Sequence, residues 1–146
     1  MTITDRARSV VAQMVNYQRD KVPITVCAAD APLPVTASKF GGVPYLPAGV
    51  DAPLGADGQP LGMIAQINCA ELPENTIYPE SGMLQFWLNP RHPQWGMNIN
   101  DGLAGADARV IYWEELGAAN PHACAVEANW EEHHWPIDPP TREISL

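Results

Sequence analysis

Ser38 and Lys39 stand side by side and form the pair in this chain best suited to nucleophilic chemistry. An amine beside a hydroxyl can take its proton, which is how serine–lysine nucleophiles are activated. Adjacent side chains on an extended chain point to opposite faces, however, and the Gly-x-Ser-x-Gly turn that presents a catalytic serine is absent. The surrounding run SKFGGVPYLP, residues 38–47, has a conformational explanation. Gly41-Gly42 supply backbone angles closed to other residues, while Pro44 and Pro47 stiffen a bend. No catalytic residue is assigned.

A second set lies in GMIAQINC, residues 62–69, where Gln66 and Asn68 fall on one face of a predicted strand together with Ile64. Met63, Ala65, Ile67 and Cys69 are expected on the other. Amides in such a place satisfy backbone groups of a neighbouring loop or face a ligand, and the first role is the commoner. If a small-molecule cleft exists, its expected lining is Ser38, Lys39, Tyr45, Gln66 and Asn68.

For a metal, the candidates are His122-x-Cys124 and Glu131-Glu132-His133-His134. Zinc needs about four convergent ligands, commonly at CxxC, HxxxH or HExxH spacing, and none of these spacings occurs. The segment 98–102, NINDG, resembles a calcium loop but has no Glu at the closing position. No metal and no cofactor is expected. Glu114-Glu115 and Glu131-Glu132 read as solvated faces, and neither a phosphate-cradling Gly-x-x-x-x-Gly-Lys loop nor a dinucleotide fingerprint is present.

The elements that would position these residues begin with a helix over about residues 4–19. Ala7, Val10, Val11, Met14, Val15 and Gln18 keep helical spacing, and Thr4 can cap the first turn. Strands are predicted at Val22–Ala28, where Pro23 favours an edge position, at Gly62–Cys69, at Gly82–Asn89 as a central strand, at Arg109–Trp113 as a buried one, and opening at Arg142–Leu146. Between the first two, residues 32–60 are crowded with Pro and Gly. They also hold Phe40, Val43, Tyr45 and Leu46, which a free linker has little use for, so an ordered loop is expected, with a tight turn at Asp57-Gly58. Trp95 and Met97 are expected to anchor the later loop at 90–107. Strands joined by turns, with one leading helix, give an α+β fold: one N-terminal helix packed on a mainly antiparallel sheet, with long ordered Pro/Gly-rich loops.

The chain's 146 residues, 46% of them hydrophobic, suffice for one domain and one core. A net charge of −9, with 8 Lys and Arg against 17 Asp and Glu, argues against nucleic acid as a partner. No stretch has the roughly 20 apolar residues of a membrane span, and the start MTITDRARSVV carries charges where a signal peptide needs an apolar run. Cys27, Cys69 and Cys124 are odd in number and far apart, which reads as reduced thiols and a cytoplasmic location.

Three runs, SKFGGVPYLPAG at 38–49, GQPLGMIAQINCAELP at 58–73 and YPESGMLQFWLN at 78–89, together resemble the YwqG-like family of bacterial domains of unknown function. Trp95-Gly96-Met97-Asn98 and Arg109–Tyr112 match later family motifs in the same order. The sequence departs from the pattern at Ala52-Pro53, where members carry an aromatic-Pro pair, and at Asn98 and Asn100, where acids are usual. The resemblance implies a single domain over 1–146, shortened at its C-terminus relative to other members, and no established activity. The corner at 38–47 is expected to fold against the Ile64–Cys69 strand. The functional reading is a non-enzymatic module that binds a protein or small molecule, the alternative being a small hydrolase or transferase with a dispersed site near 38–47.

Overall fold

Buried residues (Met83, Gln85, Trp87) alternate with half-buried ones (Leu84, Phe86, Leu88) along Met83–Leu88, so one face of that strand is hidden, and it lies inside the sheet, paired on both sides. The computed structural model describes residues 3–16, 21–92, 94, 96, 105–126 and 144–145. Helix α1 spans Ile3–Asn16. Strands β1 (Cys27–Ala28), β2 (Lys39–Phe40), β3 (Gly62–Asn68), β4 (Met83–Leu88), β5 (Ala108–Trp113) and β6 (Ile144–Ser145) form one sheet in the order β1-β6-β2-β3-β4-β5. Every pairing is antiparallel, which makes the fold α+β as expected. Gln18 and Arg19 of the expected helix lie outside the described residues, as do Trp95 and Met97. Val10 and Val11, on the helix's apolar stripe, are exposed, so the expected packing on the sheet is not seen at these positions.

Three expectations change for identifiable reasons. The Val22–Ala28 strand shrinks to Cys27–Ala28: among the described residues β6 supplies two pairing residues, and Pro23 has no N–H to offer a ladder. Its edge position is as expected. The Arg109–Trp113 strand is an edge strand rather than a buried one, leaving Val110 65% and Tyr112 41% exposed. The third change is in β3. Met63 pairs with Trp87, but Ala65 pairs with Phe86, so an irregularity between them takes up one extra residue. Beyond it the alternation is inverted. Met63 therefore shares a face with Gln66 and Asn68, not with Ala65 and Ile67.

That face holds the core. Leu46, Leu61, Met63 and Trp87 cluster there, with Ala52, Ile111, Trp113 and Ala123 packed against them. The opposite face carries Phe40, Ala65, Phe86 and Val110 in one cross-strand row, and Ile67, Leu84 and Tyr112 in the next. The 38–47 corner folds against β3 as expected: Lys39 pairs with Gln66, and the Gly41 N–H donates to Ile64 O at 2.8 Å. Gly41 and Gly42 have φ of 67° and 71°, the left-handed region that disfavours a side chain. A short ladder of Ala48 and Leu46 with Ala118 and Asn120 then ties the loop to the segment after β5.

Strand β6 lies between β1 and β2, pairing Cys27 and Ala28 on one side and Lys39 and Phe40 on the other. Among the described residues β1 reaches the sheet through β6 alone. Deleting residues 144–146 is expected to raise amide hydrogen exchange at Cys27 and Ala28 to the rate of an open segment while β3 and β4 stay protected. Retained protection at Cys27 and Ala28 would show that another segment holds β1.

Candidate functional site

The amide of Gln66, fully buried at 0% exposure, organises the corner. Its Oε1 accepts the Tyr45 N–H at 2.9 Å and the Gln85 Nε2–H at 3.3 Å, and its Nε2 donates to Val35 O at 2.7 Å and Ala37 O at 2.8 Å. A carboxamide has two donor hydrogens and two acceptor lone pairs, so Gln66 is saturated. Gln85, opposite it on β4, donates to Tyr45 O at 2.6 Å and accepts from Trp113 Nε1 at 2.8 Å. Tyr45 thus has its N–H and C=O bound by two glutamines, and its hydroxyl accepts the Gly117 N–H at 2.9 Å. Two residues along β3, Asn68 donates through Nδ2 to Thr36 O at 3.0 Å and caps the 3₁₀ turn Cys69–Glu71 by accepting the Ala70 N–H. Between them Gln66 and Asn68 hold the carbonyls of Val35, Thr36 and Ala37.

The residues expected to line a pocket are therefore close together, but they are placed differently. Lys39, Tyr45 and Gln66 are fully buried, and Lys39 Nζ makes a long 3.5 Å contact to Pro34 O. Ser38 reaches a cleft. This hollow of about 370 Å³ is bounded by Pro23, Ile24, Thr25 and Cys27 on one side and by Ser38, Ile67, Glu71, Leu72 and Pro73 on the other. The Ser38 N–H donates to Glu71 Oε2 at 2.9 Å. Its Oγ accepts the Asn68 N–H at 2.8 Å, which leaves the hydroxyl proton available to the cleft. The cleft has a hydroxyl and a carboxylate among apolar walls. Glu71 went unnoticed as a site residue in the sequence, although it sits in the Glu-Leu-Pro motif directly after the Asn68 strand.

At the other end of the β3–β4 pair a polar latch closes the loop at 55–60. Asp57 Oδ2 meets Arg91 Nε at 2.7 Å, and Oδ1 accepts the Gln59 N–H at 3.0 Å. Arg91 also donates to Pro60 O, while Asn89 bridges to Asp107 at 2.8 Å. The Arg91 guanidinium, followed by the Gln59 amide, holds the Asp57 carboxyl well below the usual carboxylate range. Elsewhere, burial pushes the Cys69 thiol up, which keeps it protonated at neutral pH. Among the described residues no group of His, Cys, Asp and Glu could hold a metal, and His122 and Cys124 are both exposed. Residues 98–102 and Glu131–His134, the other metal candidates, lie outside the described residues. Among the described residues no helix is long and apolar enough to cross a membrane.

The fold defines an antiparallel-sheet domain whose Pro/Gly corner is pinned by buried side-chain amides beside a small cleft. The chain belongs to the family described as Domain of unknown function (DUF1963), whose profile matches residues 38–145. That span contains the amide network from Ser38 onward, β2 to β6 and the Ser38–Glu71 wall of the cleft. A search of curated proteins returns no match.

Two outcomes test this arrangement. Gln66→Leu removes the partners of the Tyr45 N–H and of two carbonyls in a buried place, and is expected to lower stability by about 2–4 kcal/mol in urea unfolding. Asn68→Ala, at a half-buried position, is expected to cost less; a Gln66→Leu loss no larger than that of Asn68→Ala would remove the saturated amide from its central role. Asp57 has a folded pKa below its unfolded value, so its contribution is fully present above about pH 4 and is lost as pH falls below that. The melting temperature of the wild type should therefore fall more steeply between about pH 4 and pH 2 than that of Asp57→Asn, measured at the same salt.

Proposed function

We propose that the chain is a non-enzymatic binding module whose cleft between Ile24–Cys27 and Ser38–Glu71 takes a small apolar amine, or a partner side chain ending in one. The observation that carries this reading is the cleft itself. Its volume of about 370 Å³ falls within the range of small-ligand sites, its walls include Ile24, Ile67, Leu72 and the two prolines, and its polar groups are few. Glu71 brings a negative charge, and Ser38, a residue 7% exposed, has a hydroxyl proton to donate. A cationic head with an apolar stem satisfies both parts of such a surface.

The arrangement favours binding over group transfer. Ser38 Oγ receives an amide hydrogen from Asn68, which occupies a lone pair that nucleophilic attack would need, and adjacent side chains such as Ser38 and Lys39 on extended backbone point to opposite faces. The partner is a protein or small molecule and not nucleic acid or a membrane, a reading supported by the net charge of −9. The motif runs at 38–49, 58–73 and 78–89 support placing this DUF1963 member in the bacterial YwqG-like group, and the odd number and wide separation of the cysteines support a cytoplasmic site of action.

Benzylamine is a suitable probe, with benzyl alcohol as its uncharged counterpart. In an amide-resolved NMR titration, benzylamine is expected to shift Ser38, Asn68 and Glu71 with a millimolar dissociation constant, and benzyl alcohol much less. Glu71→Gln and Ser38→Ala should each weaken the shifts. Unmoved resonances at these residues, or full affinity in Glu71→Gln, would sink the proposal.

A further inference from the structure

We infer that the cleft is one of three hollows around Pro73 that together receive an extended segment of a partner protein, carrying basic and apolar side chains. This rests on the cleft reading above and names the partner's chemistry. Beside the cleft lies a second hollow of about 300 Å³, bounded by Lys21, Val22, Pro23 and residues 73–77. A third, of about 240 Å³, runs along Cys69, Ala70 and Leu72–Asn75 to Tyr78–Glu80. Pro73 borders all three, and Glu74 and Asn75 border the second and third. Each hollow is small. A chain passing over exposed Pro73 could drop successive side chains into them, which suits an extended peptide better than one compact ligand.

Charge and hydrophobicity define that peptide. Among the described residues, Glu71, Glu74 and Glu80 border the three hollows, against one cation, Lys21. Glu74 and Glu80 are exposed, and among the described residues no hydrogen bond or ion pair engages them. Interleaved with them are Ile24, Ile77 and Tyr78, large side chains exposed by 46%, 42% and 39%. Carboxylates between exposed apolar groups match a segment in which Lys or Arg alternates with apolar residues.

The surface is also held in shape before any partner arrives. Asn75 Nδ2 donates to Pro73 O at 2.9 Å, and its Oδ1 accepts the N–H groups of Ile77 at 3.0 Å and Tyr78 at 2.8 Å. One side chain therefore fixes the loop that carries both apolar groups, which lowers the ordering cost on binding.

The probe is a fluorescein-labelled octapeptide of alternating Lys and Leu, followed by anisotropy on the full chain, with Glu-Leu and Lys-Ser octapeptides as controls. The Lys-Leu peptide is expected to bind, to weaken as salt rises, and to lose about fivefold in affinity on the Glu74→Gln/Glu80→Gln double variant. Asn75→Ala should weaken binding without changing the salt slope. Equal binding of the Lys-Ser peptide, or full affinity in the double variant, overturns the inference. If the peptide fails while benzylamine still shifts Ser38 and Glu71, the extension falls and the cleft stands. If both probes fail, both proposals fall.

Discussion

The hydrogen bonds of the Gln66 amide join stretches of chain that would otherwise have no reason to meet. Through it, the turn at 35–37, the Tyr45 backbone and the facing strand residue Gln85 become one assembly. Such a group has no middle course. An amide buried without partners costs far more than its hydrogen bonds contribute when complete, so the fold must deliver all of them together. Because the chain enters β2 from the turn that Gln66 and Asn68 hold, the position of Ser38 follows from theirs. The hydroxyl at the cleft is thus fixed by two amides, one of them wholly removed from solvent.

The cleft and the polar latch lie at opposite ends of the β3–β4 pair. The Asn68–Met83 end opens onto the 3₁₀ turn and the cleft. The Gly62–Leu88 end leads to the Asp57–Arg91 latch and to Asn89 with Asp107. The Glu71 carboxylate at the first end accepts one backbone amide beside the cleft, whereas Asp57 at the second is engaged by a guanidinium as well as a backbone amide. The carboxylate that makes stability acid-sensitive and the carboxylate at the cleft are therefore different groups, at different ends of the domain.

Much of this was legible from local pattern. The two successive glycines at 41 and 42 and the turn at Asp57-Gly58 each signalled backbone geometry, because those effects act within a few residues. The alternative roles of Gln66 and Asn68 were also visible. What sequence could not show was the extra residue between Met63 and Ala65, which inverts the facing of everything before it without any Gly or Pro to mark it. Nor could it show that the chain around Ile24 would come to face Glu71, since that meeting depends on β6, far along the sequence. Cleft walls built from distant segments leave no local signature, whereas the amides that set up one of those walls do.

The insertion of β6 between β1 and β2 has a consequence for the order of folding. The β3–β4–β5 meander and the Gln66 network draw on neighbouring strands and loops, and can form once residues up to about Gly117 are available. The other wall of the cleft, attached through Cys27 and Ala28, must wait for residues 144–145 and close a loop that spans most of the sequence. In a chain synthesised from its N-terminus, the structural core is thus assembled early and the cleft last. A nascent or partly folded form would hold its hydrophobic cluster together while its cleft still lacked one wall.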